Sequence, residues 1–245
     1  MNIQNIASLI EVLGSIGFDE NAGYRLMQHI CFKPADFLLT ERLRKGKDTL
    51  TCSIFFERKG DEYTCSYYDA AFLKEMEMPD LVIHSINVRE LDQRMVETDW
   101  VTDNKVAAAF RLDNEVTWER EKRIEKIVGD LFRLSVTEEG KNFADCLKLK
   151  HWSGIPLQAN MGNLNVLKSR FEVSQRFYFF DGQGISVDEA YRFLLNRWLE
   201  KKLLAKKKQE GSVVQEDAME GGGVAGGDKT LLQKNRKSKS NKLKR

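Results

Sequence analysis

No apolar run in the sequence approaches the roughly 20 residues that a membrane-spanning helix requires, so we expect no contact with a membrane. The first twenty residues, MNIQNIASLIEVLGSIGFDE, lack both a basic region and an A-x-A-like cleavage site, and they do not predict a secretory signal. Cysteine is also scarce, with four residues at wide spacing and no C-x-x-C pair, which argues against a disulfide framework. Together these absences predict a cytoplasmic protein with reduced thiols.

Sequence patterns for catalysis or metal binding are absent as well. The three histidines, His29, His84 and His151, form no H-x-x-x-H pair and have no cysteine, histidine or acid at metal-ligand spacing. Neither a G-x-S-x-G nor an S-x-x-K nucleophile motif occurs. We therefore predict a non-enzymatic protein without metal or cofactor, and interpret each histidine as a packed or partly exposed side chain. Because folding can bring distant residues together, an enzyme of unrecognised type that joins His84 or His151 to acids stays an alternative.

The stretch from Gly222 to Thr230 approximates a phosphate-binding loop but departs from it at one residue. A Walker loop places Lys directly after its last Gly, because the backbone amides and that Lys hold the phosphates together. Here Asp228 separates Gly227 from Lys229, and no apolar strand precedes the glycines. The pattern therefore indicates a flexible Gly-rich linker.

Charge is distributed unevenly along the chain, although the formal net charge is only +2. Residues 200–245 carry 13 Lys and Arg against 6 Asp and Glu, which leaves 26 against 31 in residues 1–199 and makes that part mildly acidic. The candidate nucleic-acid-binding residues are the cations that follow the linker: Lys229, Lys234, Arg236, Lys237, Lys239, Lys242, Lys244 and Arg245. Cations near phosphates add salt-dependent affinity for DNA or RNA, and the alternative is a solvated terminus that binds nothing.

Hydrophobic periodicity in the first half predicts two helices followed by an antiparallel sheet. Apolar residues recur at helical spacing over residues 3–16, and Asp19 is placed to cap a second helix that ends near Ile30. Between Ala35 and Leu73 the period changes to two, and the breaks KGKD and KGD have the composition of tight turns. This change of period predicts a three-stranded meander.

Helices and strands alternate again in the rest of the chain. After a short strand at 81–83, Asn87 and Glu90 form a helix-start signal, while residues 101–114 fit helix or strand. Further helices are predicted over 117–132 and 137–149 and from Ser186, where Glu189 completes a capping box, with fraying within 200–208. Strands are predicted within three segments, IPLQANM (155–161), NVLKSRFEV (165–173) and QRFYFFDG (175–182).

Two stretches 99 residues apart share a pattern. INVRELDQRMVETDW and ISVDEAYRFLLNRW both place I-x-V-x-E near a helix start and end in Trp, and each follows an aromatic strand segment. The similarity reflects either a duplicated sheet-and-helix unit or chance, since capping chemistry makes unrelated helix starts alike. We therefore predict an α+β fold in three parts. Residues 1–114 hold a helical hairpin with one such unit, residues 115–208 hold a helical middle with a second, and residues 209–245 form a Gly-rich linker with a disordered basic tail.

Side chains in the strand segments are open to a structural and a functional interpretation. Seven aromatic residues can stack bases on a sheet face or fill the core, and core packing is favoured because acids adjoin the first three. They are Tyr63, Tyr67, Tyr68, Phe177, Tyr178, Phe179 and Phe180. Cys52 and Cys65 fall at inward positions where they can face each other across a turn, and we interpret them as small buried hydrophobes. Asp181 with Gly182 is typical of a hairpin turn.

Three segments carry a resemblance to a known group of proteins. They are ADFLLTERLRKGKDTLTCSIFFERKGDEYTCSYYDAAF, EKIVGDLFRLSVTEEGKNFADCLKLK and RFYFFDGQGISVDEAYRFLLNRW, and the lysine-rich end adds to them. In the order of its elements the chain resembles uncharacterised accessory proteins encoded on conjugative plasmids and transposons of Bacteroidetes. The resemblance implies a cytoplasmic accessory protein of a mobile element, and it implies no catalytic residues.

The function expected from the sequence is binding. The folded part would bind a protein partner or a copy of itself, and the tail would contact DNA or RNA without sequence preference. One alternative is a pure protein-interaction module of the inhibitor or antidefence type, whose tail is inert. The enzyme of unrecognised type is the other.

Overall fold

The backbone forms seven helices and six strands over the residues that a computed structural model describes, which are 2–98, 100, 115–155, 157, 161–180 and 183–220. The helices are α1 (Ile3–Ser15), α2 (Glu20–Cys31), α3 (Val88–Glu97), α4 (Glu115–Leu134), α5 (Glu138–Trp152), α6 (Asn165–Phe171) and α7 (Val187–Glu220). The strands are β1 (Asp36–Lys45), β2 (Asp48–Lys59), β3 (Glu62–Leu73), β4 (Val82–Ile83), β5 (Ile86–Asn87) and β6 (Glu172–Tyr178). The fold is therefore α+β, as predicted. None of the described helices combines the length and apolar character needed to cross a bilayer.

One antiparallel sheet, in the order β1-β2-β3-β6, organises the molecule, and β4 and β5 form a separate two-stranded ladder. The two turns of the meander contain Gly46 and Gly60, whose φ angles of +66° and +67° favour glycine because it has no Cβ. The meander predicted between Ala35 and Leu73 is confirmed.

The third neighbour in the sheet comes from far along the chain. β6 pairs with β3 from Tyr67↔Tyr178 to Leu73↔Glu172, so the strand assigned to a second sheet-and-helix unit extends the first sheet instead. Met1–Lys201 accordingly forms one compact unit, which differs from the predicted division of residues 1–208 into two domains. The predicted boundary at residue 114 lies outside the described residues, as does segment 101–114, expected to be helix or strand.

The segment predicted as a strand over 165–173 is helical up to Phe171 and enters β6 only at Glu172. Residues 165–171 form α6, because Leu164, Leu167 and Phe171 recur at helical spacing and pack together against the second apolar cluster. Of residues 155–161, the structure describes Ile155, Leu157 and Met161, and these three do not belong to a strand.

The inner face of the sheet carries the first apolar cluster. Alternate residues of the meander, including Ile54, Phe56 and Tyr68, are buried there against α1, α2 and the first turns of α7. The Tyr68 hydroxyl donates to the Ile185 carbonyl at 2.7 Å, and this bond fixes the chain just before α7. Each of these large side chains contributes about 1.5–3 kcal/mol through burial.

Near the β1–β2 turn, the outer face is covered by the second apolar cluster of α3, α4, α5 and α6. Arg42 donates from this face to the carbonyls of Lys150 and His151 at the end of α5. Gly154 follows with φ +78°, and a Cβ there would lie 2.5 Å from Cγ2 of Thr51 on β2. The close approach of α5 to the sheet therefore requires glycine at 154.

The N-terminal capping residues predicted for three helices are confirmed. The side chains of Asp19, Asn87 and Ser186 accept from the backbone amides of Ala22, Glu90 and Glu189, respectively. At its other end α7 continues to Glu220, so residues 209–220 are helical where a linker was predicted. The rest of the predicted linker and tail, from residue 221, lies outside the described residues.

Candidate functional site

Part of the outer face of the sheet has no covering layer among the described residues, and an apolar row crosses this part. The register pairs Leu38 with Phe55, Phe55 with Tyr67, and Tyr67 with Tyr178, so one residue from each strand lies in line. Phe180 continues the line just beyond β6. These five residues form the aromatic row, in which Leu38, Tyr178 and Phe180 are 53%, 54% and 74% exposed. Exposed apolar groups this closely placed are typical of an interaction surface.

The rings of the aromatic row contact one another in sequence. Phe55 and Tyr67 stack with centroids 5.1 Å apart and planes 10° from parallel. Tyr178 meets Tyr67 edge-on at 6.1 Å, and Phe180 meets Tyr178 at 6.5 Å. Contacts of this kind stabilise cross-strand pairs and hold the rings in place before anything binds.

Arg176 covers the face of the Tyr67 ring opposite Phe55. Its guanidinium lies 3.7 Å from the ring centroid and donates two hydrogen bonds to Asp69, at 2.8 and 2.9 Å. The hydrogen bonds to Asp69 raise the pKa of Arg176, which therefore stays charged. Because β3 lies between β2 and β6, Phe55 and Arg176 approach Tyr67 from opposite sides. Both faces of the Tyr67 ring are thus occupied within the protein.

The charges beside the aromatic row are nearly balanced, with a slight excess of acid. Asp36 and Glu57 flank the row on one side, and Lys59 lies 3.5 Å from Glu57. Asp69 and Arg176 flank it on the other side. A surface that binds a phosphate backbone carries an excess of Lys and Arg instead.

The aromatic residues considered for base stacking are divided between the two faces of the sheet. Tyr63, Tyr68 and Phe177 are buried, and Phe179 packs against the same inner cluster. Tyr67, Tyr178 and Phe180 belong to the aromatic row. Core packing is therefore right for four of the seven. The strand alternation from residue 177 to 180 was the signal for Tyr178 and Phe180. The register shift between Phe55 and Phe56 places Tyr67 on the outer face, and no sequence pattern indicated it.

A buried ionic group lies in the second cluster, where sequence spacing gave no sign of it. Asp92 on α3 accepts from Lys150 Nζ at 2.9 Å and contacts His151 Nε2 at 2.7 Å, while Lys150 also donates to Glu75. Burial lowers the pKa of His151 and outweighs the opposing effect of Asp92. Burial raises the pKa of Asp92, but its bonds to His151 and Lys150 outweigh burial and hold that pKa below its ordinary value. The arrangement is a neutral imidazole beside an ionised pair.

The other two histidines have different surroundings. His29 stacks on Phe37 at 4.9 Å, and His84 has a φ of +48° in the turn between β4 and β5. The described residues contain no group of three or more His, Cys, Asp or Glu that could hold a metal ion.

Cys52 and Cys65 do not face each other across the sheet. The β2–β3 register pairs Cys52 with Ala70 and Cys65 with Phe56, so the expected juxtaposition is wrong. Burial raises the pKa of each thiol to about 12, which favours the neutral form. Their interpretation as packed hydrophobes fits these surroundings.

The remaining predicted sites fall outside the described residues. They are the hairpin residue Asp181, the loop-like stretch 222–230 and all eight candidate nucleic-acid-binding cations between Lys229 and Arg245. Phe180 and Gln183, which border Asp181, exchange two backbone hydrogen bonds of 2.8 and 2.9 Å.

Comparison of the chain with protein-family models, with curated proteins and with solved structures gives no match.

Proposed function

We propose that this is a non-enzymatic binding protein whose aromatic row docks a protein partner. The observation that carries the proposal is a line of rings, half-buried at Phe55 and Tyr67 and exposed at Tyr178 and Phe180, that contacts with one another and with Arg176 already hold in place. Aromatic residues dominate protein–protein contacts because they provide a large apolar area with few rotatable bonds. A prearranged row loses little conformational entropy when a partner binds.

The same geometry disfavours stacked bases as the ligand of the aromatic row. A single-strand binder offers open ring faces with cations beside them. Here the Tyr67 ring is covered on both sides, and the one arginine beside it is paired with Asp69. Protein is therefore the class of partner that this surface supports best.

The proposed contact with nucleic acid is made by the carboxy-terminal cations. Eight Lys and Arg and no acid occur in residues 229–245, and they follow Asp228 and a stretch, 221–227, in which six of seven residues are glycine or alanine. Each cation placed near a phosphate releases a counterion, so the tail would add weak affinity that decreases with salt. The resemblance to mobile-element proteins implies a cytoplasmic accessory role, which neighbouring transfer or relaxase genes would support and a metabolic operon would contradict.

The partner surface is tested with paired variants. Tyr178→Ser together with Phe180→Ser removes the most exposed rings of the row, and Val166→Ser changes an exposed apolar residue of α6 away from the row. A protein that copurifies in stoichiometric amount with the wild type and with the Val166 variant should no longer copurify with the Tyr178 and Phe180 double variant. Sedimentation velocity of the purified proteins shows whether the partner is a second copy. An unchanged set of bound proteins, together with unchanged sedimentation, would refute the role of the aromatic row.

The tail is tested by electrophoretic shift across a salt series, with and without residues 210–245. We expect the full chain to bind DNA or RNA at low salt and the truncated chain to bind much less. Equal binding by both forms would exclude a role for the tail. If neither form binds nucleic acid, the alternative of a pure interaction module with an inert tail is favoured, provided that the complex with the protein partner is retained after tail deletion.

A further inference from the structure

The four-stranded sheet has two edge strands, β1 and β6, and their open edges differ. At β6, Lys201 Nζ donates to the Glu172 carbonyl at 3.2 Å, so a side chain of α7 occupies part of that edge. Within the described part of the chain, β1 has no such cover along the edge that faces away from β2. An uncovered edge strand is a template for pairing with another strand.

Alternate residues of β1 direct their backbone groups to this open edge. In an antiparallel pair, residues that exchange hydrogen bonds with the partner strand alternate with residues whose N–H and C=O groups point the other way. The Arg58 amide donates to the Ala35 carbonyl at 2.8 Å, so the odd-numbered residues of β1 bond to β2. The groups at the open edge belong to Asp36, Leu38, Thr40, Arg42 and Arg44. No described residue forms a hydrogen bond with these amides and carbonyls.

The sequence of β1, DFLLTERLRK, is complementary to itself when two copies lie antiparallel with Thr40 at a two-fold axis. Asp36 then lies opposite Arg44 at each end of the paired segment, and opposite charges across strands stabilise a ladder. Both residues are exposed, and neither forms an ion pair with another described residue. Leu38 lies opposite the Arg42 stem, and the open-edge residues form about ten backbone hydrogen bonds between the copies.

Neighbouring registers of the same pairing are less favourable. Centring the pair on Glu41 or on Arg42 places like charges opposite each other at the axis, which destabilises the ladder. Centring it on Leu39 places Arg44 opposite Pro34, which has no N–H and precedes β1. Charge and strand length therefore select the first register.

We propose that two copies of this chain pair through β1 about a two-fold axis at Thr40, which joins their four-stranded sheets into one continuous sheet. Because the axis is perpendicular to the sheet, the outer faces of both copies lie on the same side. The dimer therefore presents two aromatic rows in one direction. The pairing itself does not depend on the function proposed for the row, since it uses the backbone edge and shares only Leu38 with that surface.

Charge reversal tests the register by sedimentation velocity of the full chain across about 1–100 µM. We expect the wild type to be dimeric at the upper end. Asp36→Arg and Arg44→Asp should each weaken dimerisation at least tenfold, equivalent to about 1.4 kcal/mol, because like charges then meet at both ends. An equimolar mixture of the two variants should restore the dimer, since their charges are complementary across the axis. Restoration also shows that both variants are folded.

Residue-resolved hydrogen exchange tests the backbone pairing independently. The amides of Leu38, Thr40 and Arg42 should exchange more slowly at concentrations where the wild type is dimeric than in dilute solution. The amides of Leu39 and Glu41, which bond to β2, should be protected in both conditions. Equal exchange of the first three amides at both concentrations would contradict pairing through β1.

Control variants separate this interface from the other surfaces. Glu125→Arg and Lys126→Asp reverse exposed charges on α4, and both should dimerise as the wild type does, as should the Tyr178 and Phe180 double variant. A wild type that is monomeric throughout the range, or a dimer that both charge reversals in β1 leave unchanged, would overturn the proposal. Loss of the dimer from the double variant alone would place the second copy on the aromatic row instead. Loss of a different copurifying protein from the β1 variants, without a dimer, would identify a strand of another protein as the occupant and would also overturn it.

Discussion

Asp92 contacts both Lys150 and His151 in the second apolar cluster, and this arrangement links stability to pH. Ionised Asp92 accepts a hydrogen bond from the Nε2–H of neutral His151, so the imidazole is held in that tautomer. Protonating His151 would place a second cation beside Lys150 within a buried region. The folded chain therefore resists a proton that the unfolded chain accepts.

We expect the free energy of unfolding to fall as the pH decreases through about 6.5, the ordinary pKa of histidine. The pKa of His151 is lowered in the folded state. As the pH falls below about 6.5, the unfolded chain therefore takes up a proton at this position before the folded chain does, and this difference reduces the stability of the fold. His151→Gln should remove this component, and His29→Gln should retain it. Urea unfolding at about pH 7.5 and 5.5 measures the difference. The same pH dependence in both variants would contradict the assignment to His151.

Gly154 lies where the chain after α5 approaches β2 too closely for a side chain. Gly154→Ala places a Cβ 2.5 Å from Thr51 Cγ2 and also strains a backbone with φ +78°. Gly60→Ala has a similar φ of +67° but meets no atom within 4 Å. The left-handed conformation alone costs about 1–2 kcal/mol, so the Gly154 variant should be destabilised by clearly more than the Gly60 variant. Equal losses in chemical unfolding would show that contact with Thr51 is unimportant.

At the scale of elements, the start of α7 joins local sequence to the core. The Ser186 hydroxyl accepts from the Glu189 amide at 3.3 Å, and Glu189 accepts from the Ser186 amide at 3.0 Å. The helix that begins there places Val187, Ala190 and Leu194 in the first cluster. The capping box thus orients the part of α7 that contributes buried residues to the first cluster.

Ser186→Ala should lower the free energy of unfolding by about 1 kcal/mol, because the Glu189 amide loses its acceptor and the Glu189 carboxylate loses the hydroxyl that donates to it. The matched control is Ser169→Ala, since the Ser169 hydroxyl donates to the Val166 carbonyl within α6 and caps no helix. Urea titrations of the two variants should differ by most of that amount. Equal stabilities of the Ser186 and Ser169 variants would show that water replaces the Ser186 hydroxyl as the cap at little cost in free energy.

At the scale of the whole molecule, β6 joins the two halves of the chain. It pairs with β3 across about 100 residues of sequence, and Phe177 enters the first cluster through it. A sheet built from both halves cannot lose one half without exposing the core of the other. Residues 1–201 should therefore unfold as one cooperative unit.

Phe177→Ala tests this unity, because the side chain is buried in the shared core. We expect a loss of about 3–5 kcal/mol, while Tyr178→Ser on the outer face should lose about 1 kcal/mol or less. Far-ultraviolet circular dichroism and tryptophan fluorescence should give coincident single transitions in both variants and in the wild type. Two separated transitions would indicate independent domains.

Local sequence determined the meander, the helix starts at Asp19, Asn87 and Ser186, and the α+β class. Each depends on chemistry within a few residues, such as turn glycines, capping side chains and apolar periodicity. Only the tertiary structure decided that β6 extends the first sheet, that the 165–171 segment is a helix, and that His151 meets Asp92. It also decided that Tyr178 and Phe180 lie on the open face while Phe177 is buried. These outcomes depend on strand register and on packing between distant segments, which no local pattern specifies.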